Sequence, residues 1–126
     1  MTGKVPVLVA EDEALIRMLL EEELTEAGFQ VVPAADGHQA EAKLEAEAPR
    51  LCAIVTDIRL GRGPSGWDLA RRAREQEPSV AVVYVSGDSI HEWAAKGVPN
   101  SVMVSKPFAP AQVITALSTL LNQASS

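Results

Sequence analysis

The chain has 126 residues, 47% of them hydrophobic, with a formal charge of −6 and a single cysteine. This size predicts one domain, residues 1–126 with a core from about 5 to 122, that needs no disulfide or structural metal to hold it. The acidic balance argues against a binder of phosphate backbones, so no nucleic-acid partner is expected.

No apolar run approaches the roughly 18 residues of a membrane span, and the N-terminus lacks the apolar stretch of a secretion signal. Both points predict a cytoplasmic protein with no membrane partner. Cys52, within "LCAIV", has no intramolecular partner for a disulfide and reads as a small buried hydrophobe in a reducing compartment.

The first apolar run, "VPVLVA" (5–10), predicts a buried strand. Beyond it, Ile16, Leu20, Leu24 and Ala27 recur at helical spacing, and Gly28 follows as a stop. "FQVVPA" (29–34) predicts a second strand, and a second helix follows with Asp36 as N-cap and Pro49 beyond its end. "LCAIVT" (51–56) predicts a third strand, and "GWDLARRAREQEP" a helix that stops before Pro78. "VAVVYVS" (80–86), the short helix "SIHEWAAKG", "SVMVS" (101–105) and "APAQVITALSTLLN" complete the chain, with Pro110 tolerated in the last helix's first turn. The tail "NQASS" reads as frayed.

Five repeats of strand and helix predict an α/β fold, (βα)5, with helices on both faces of a parallel sheet. Right-handed crossovers favour the doubly wound strand order 2-1-3-4-5, in which ligands bind at the carboxyl ends of strands 1 and 3. Glu11 and Asp12 end strand 1, Asp57 ends strand 3, Ser86 ends strand 4, and Lys106-Pro107 ends strand 5. Carboxylates held this close are tenable if their pKa values rise or a cation sits among them. Mg²⁺ suits such a set, since it takes one or two carboxylates, a carbonyl and water. Lys106 adds an ammonium and Ser86 a hydroxyl, so Asp57 is a candidate nucleophile towards a phosphoryl group. Singly, each of these residues could cap a helix or form a turn. Their common place at strand ends carries the reading.

With "VAEDE", "VTDI", "VSG" and "SKPF" at those ends, the sequence resembles the receiver domains of two-component response regulators, specifically single-domain, chemotaxis-regulator-like receivers. The resemblance spans residues 5 to 122 and implies the flavodoxin-like receiver fold. It implies that Asp57 accepts a phosphoryl group from a phosphohistidine, supplied by a sensor histidine kinase or a histidine phosphotransfer protein. It further implies that Asp12, Asp57 and the Arg59 carbonyl hold Mg²⁺, with Glu11 acting through water. Lys106 would contact the phosphoryl group, and Ser86 would swing to bond it and bias a surface around helix 4, strand 5 and helix 5. A protein effector, unnamed by the sequence, would read that surface, because nothing follows helix 5, or none would if the domain is a phosphate sink. Such a module is a switch that takes part in its own phosphoryl transfer and hydrolysis, not a metabolic enzyme. The resemblance also makes Lys106-Pro107 a candidate cis bond.

Two departures from the family pattern stand out. Met103 occupies the strand 5 position, three before the lysine, where receivers commonly carry an aromatic switch residue. The loop "IRLGRGPSGW" lacks the usual Met-Pro and is about one residue longer. Arg59 and Asp88, each two residues past a site residue, are expected to pair across the mouth and restrict water. Trp93 on helix 4 reads as a packing residue that could also face the output surface; Trp67 reads as packing.

Two rival readings follow from the same residues. "GRGPSG" (61–66) matches the glycine pattern of dinucleotide sites. Four residues separate it from the strand, Pro64 removes a donor, and the neighbouring acids would repel a pyrophosphate. Flavin binding is disfavoured by the acidic first βα turn. A degenerate receiver, binding proteins without phosphorylation, is motivated by Met103 and the altered loop. His38 and His91 read as surface residues, and "RRAR" (71–74) as the solvated face of helix 3.

Overall fold

The computed structural model describes residues 5–124. Strands β1 (Val5–Ala10), β2 (Phe29–Ala34), β3 (Ala53–Asp57), β4 (Ala81–Ser86) and β5 (Ser101–Ser105) form one parallel sheet in the order 2-1-3-4-5. Helices α1 (Ala14–Glu26), α2 (Gly37–Glu47), α3 (Gly66–Gln76), α4 (Trp93–Lys96) and α5 (Pro110–Ala124) connect and cover the strands. This is the doubly wound (βα)5 arrangement expected from the alternation of apolar runs.

Strand pleating divides the core in two. Val7, Val9, Val55, Val83 and Val85 face Leu20 and Leu24 of α1 and Val113 and Leu117 of α5. Leu8, Ile54, Val82 and Tyr84 face Leu44 of α2 and Leu69 and Ala73 of α3. Because both faces are covered, the central strands are buried on successive residues rather than alternate ones, and their polar residues, Thr56, Asp57 and Ser86, come only at the carboxyl ends. Each fully enclosed Leu or Val contributes about 1.5–3 kcal/mol relative to exposure.

Local signals set most boundaries. Asp36 caps α2 by accepting from the Gln39 N–H at 2.8 Å. Ser65 and Asp68 form a reciprocal capping box on α3. Gly28 ends α1 at φ 101°, a conformation that costs a residue with a Cβ far more. α1 starts differently: Glu13 is its N-cap, yet its side chain makes no capping bond.

Several boundaries and environments differ from the sequence reading. β3 begins two residues later than expected and includes Asp57, which pairs with Val85. Cys52 is only half-buried, because it precedes the strand at the open amino-terminal rim of the sheet. The fourth helix keeps just four α-helical residues after a 3-10 turn at Ile90–Glu92. α5 continues to Ala124, so Asn122, Gln123 and Ala124 are helical rather than frayed; the last two residues of the "NQASS" tail lie outside the described residues. "RRAR" is not simply a solvated face. Arg74 donates to the carbonyls of Val80, Pro99 and Asn100 at 2.8, 2.6 and 3.3 Å, and Arg71 to that of Lys96 at 3.2 Å. α3 thus clamps the segment leading into β5. Tyr84 anchors the same segment, its hydroxyl accepting from the Val98 N–H at 3.1 Å while its ring lies 4.8 Å from that of Trp67.

His38 and His91 are exposed. Among the described residues no helix is long and apolar enough to cross a membrane.

Candidate functional site

The carboxyl edge of the sheet gathers charge from three strand ends. Glu11 continues β1, its N–H donating to the Ala34 carbonyl at 3.1 Å. Asp57 ends β3, and Lys106 follows β5, its N–H bonded to the Ser86 carbonyl at 2.8 Å. The peptide bond from Lys106 to Pro107 is cis, as the motif implied. One carboxylate oxygen from each of Glu11, Asp12 and Asp57 lies within 4.8 Å of the others.

Lys106 ties the cluster together. Its Nζ stands 2.9 Å from Asp57 Oδ2, 3.0 Å from Glu13 Oε1, and 3.0 and 3.2 Å from Glu11 Oε1 and Oε2. Burial pulls the ammonium's pKa down, but its bonds to Asp57, Glu11 and Glu13 outweigh that and hold it above the usual lysine range. The other oxygen of Asp57, Oδ1, accepts from the Ile58 N–H at 2.6 Å. Glu11 is fully enclosed. Burial raises its pKa from 4.5 to about 7, an effect the Glu13 N–H opposes and the nearby Asp57 charge reinforces. Only Glu11 Oε2 has hydrogen-bond geometry to the lysine, so Oε1 is a buried carboxylate oxygen without a hydrogen bond. Ion-paired to Lys106 but accepting no hydrogen bond, this buried oxygen beside two further carboxylates suits a hard, oxygen-seeking divalent cation.

The expected site residues do not all converge. Asp12, Asp57, Lys106, Arg59 and Asp88 line one open depression together with Glu13. Arg59 and Asp88 pair at its mouth, Nη2 to Oδ2 at 3.0 Å, as expected from their spacing. Ser86 ends β4 beside the depression, but its hydroxyl serves a turn, accepting from the N–H groups of Asp88 and Ser89 at 3.2 and 2.8 Å. Met103 is half-buried against the α2–α3 side of the core. Trp93 is 37% exposed and donates from Nε1 to Ser101 Oγ at 2.9 Å, away from the acidic cluster.

Two contributors were not assigned from the sequence. Glu13 was visible as part of the acidic run, but nothing in the run indicated that it would bond Lys106 rather than cap α1. Gly66 supports Asp57 from behind: its N–H donates to the Ile58 carbonyl at 2.8 Å, and a Cβ there would overlap the Asp57 carbonyl oxygen. Its signal was hidden inside the 61–66 glycine pattern. That loop does not cradle an anion. The N–H groups of Gly37 and His38, at the start of α2, donate to its Leu60 and Arg62 carbonyls, and the start of α3 is closed by its own capping box.

A doubly wound sheet with an acid cluster on strands 1 and 3, answered by a lysine after strand 5, defines an α/β signalling domain built around one central aspartate. The chain belongs to the response regulator receiver domain family, whose model matches residues 7–118. Receiver domains are signalling modules of two-component systems. The structure is similar to that of a response regulator receiver protein from Sinorhizobium medicae WSM419, 45% identical, with a TM-score of 0.91 over 96% of this chain and 97% of that one. Among curated proteins, the transcriptional regulatory protein PdtaR of Mycobacterium tuberculosis is 35% identical over 114 residues, 88% of this chain and 54% of that protein. The phosphate regulon transcriptional regulatory protein PhoB of Pseudomonas aeruginosa is 30% identical over 127 positions, 98% of this chain and 54% of that protein. The chain spans about half the length of the curated relatives it matches.

Proposed function

We propose that Asp57 is the phosphoacceptor of a phosphorelay. A carboxylate oxygen of Asp57 attacks the phosphorus of a phosphohistidine; the new P–O bond forms as the P–N bond breaks, and the imidazole leaves with the electron pair and takes up a proton. The carrying observation is the bond from Asp57 to Lys106 beside the carboxylates of Glu11 and Asp12. Lys106 neutralises charge on the phosphoryl oxygens, and the Ile58 N–H fixes the orientation of the attacking carboxylate.

Asp12, Asp57 and the Arg59 carbonyl would hold Mg²⁺, with Glu11 contributing through water. When bound, the ion screens the phosphoryl oxygens against the surrounding carboxylates. The donor is a sensor histidine kinase or a histidine phosphotransfer protein, and a protein effector reads the result. We assign Ser86 as the switch: its hydroxyl leaves the Asp88 and Ser89 N–H groups for the phosphoryl group and so releases the turn that starts the α4 segment, where Trp93 and Met103 are the output candidates. The test is transfer from a phosphorylated histidine kinase core to this chain. Label retained by the wild type and absent from Asp57→Asn is expected; equal labelling of both would contradict the assignment.

A further inference from the structure

Glu13 sits at the N-cap of α1 with an extended backbone, where a side chain ordinarily accepts from the first free N–H groups of the helix. It makes no such bond. Its carboxylate turns instead to Lys106, with Oε1 3.0 Å from Nζ.

An ammonium has three donors, and three carboxylates occupy those of Lys106. The three are not equivalent. Glu11 is enclosed and held by the Glu13 N–H at 3.0 Å, and Asp57 is held by the Ile58 N–H. The Glu13 side chain is 61% exposed and reaches the lysine from the solvent side. It is therefore the partner that can leave without moving the sheet. A phosphoryl group arriving at Asp57 brings oxygens that need the same ammonium.

Resting on the phosphoacceptor reading, we infer that Glu13 is a positioning residue that competes with the incoming phosphoryl donor for Lys106. It occupies the third donor of the lysine in the resting site and is displaced when the donor binds. Glu13 thus sets the affinity for the donor and leaves the rate of transfer at saturation unchanged.

The test compares wild type and Glu13→Ala in saturating Mg²⁺, following phosphorylation by acetyl phosphate in quenched time courses read by intact mass. The variant removes an exposed side chain that caps nothing, and a thermal melt checks its fold. The apparent dissociation constant for acetyl phosphate should fall roughly three- to tenfold with the saturating rate unchanged. At about 1 M KCl, where the Debye length is roughly 3 Å, at least a twofold fall should persist, because direct contact is screened less than a diffuse field. A fall that vanishes in salt, a change confined to the saturating rate, or no change would each overturn the inference. If the wild type takes up no phosphoryl group, both the inference and the phosphoacceptor reading fail; if it does and Glu13→Ala behaves identically, the inference alone fails.

Discussion

Lys106 Nζ and Asp57 Oδ2 lie 2.9 Å apart although 49 positions separate the residues in sequence. Strand order creates this contact: β3 and β5 flank β4, and the carboxyl ends of these parallel strands lie at the same edge of the sheet. The same edge carries Glu11, and the crowding of these groups has consequences that can be measured.

Metal-free stability should fall as pH rises. Glu11 has a pKa of about 7 in the folded chain against 4.5 as its ordinary value. A raised folded pKa means the native state favours the protonated form, so its contribution is complete below pH 4.5 and is lost as pH rises through about 7. The loss is on the order of 3 kcal/mol. Urea unfolding without metal should show Glu11→Gln gaining on wild type between pH 5 and pH 8, by about that amount. A wild-type stability that rises over the same interval would contradict this. Mg²⁺ affinity should move the other way and strengthen as Glu11 ionises.

Gly66→Ala should destabilise the fold by about 1–3 kcal/mol, the range for forcing extra atoms into a packed site. The added methyl meets the Asp57 carbonyl oxygen, which belongs to the sheet and cannot yield alone. Thermal unfolding with an unchanged midpoint would show that the β3–α3 connection accommodates a side chain.

Much of this was readable in advance, for identifiable reasons. β1 matches its apolar run because a central strand covered on both faces is apolar along its length, while the edge strands β2 and β5 match theirs on their shorter Val-rich stretches. Asp36 and Gly28 were legible because caps depend on local chemistry. The convergence of Glu11, Asp12, Asp57 and Lys106 followed from strand order, a property of the whole chain. What escaped depends on contacts between distant segments. Arg74 looks like a solvated charge until its carbonyl partners arrive 25 and 26 residues later. Ser86 has two uses for one hydroxyl, and only the three-dimensional turn shows which one the resting state employs. Glu13 likewise chooses the lysine over its own helix.

Arg59→Ala should leave stability within about 1 kcal/mol, since the pair with Asp88 has side chains 77% and 56% exposed. Its effect belongs to kinetics. Removing the pair opens the mouth to water, and loss of the phosphoryl group should accelerate. An unchanged dephosphorylation rate would rule out the Arg59–Asp88 pair as a barrier.

Ser86→Ala should cost about 1–3 kcal/mol, because the Ser89 and Asp88 N–H groups lose their acceptor beside a buried strand end. It should also uncouple the surface from the site. In wild type, phosphorylation should shift the amide signals of Asp88 and Ser89 and the indole N–H signal of Trp93. In the variant these signals should start displaced and stay there, and a response equal to wild type would exclude Ser86 as the link.

The most direct test of the phosphoacceptor assignment is intact mass after incubation with acetyl phosphate, with and without Mg²⁺, for wild type and Asp57→Asn. Gain of one phosphoryl group by the wild type, dependent on Mg²⁺ and absent from the variant, is the expected result. A folded wild type that gains nothing under either condition would contradict the assignment and leave a receiver that acts through its unmodified surface.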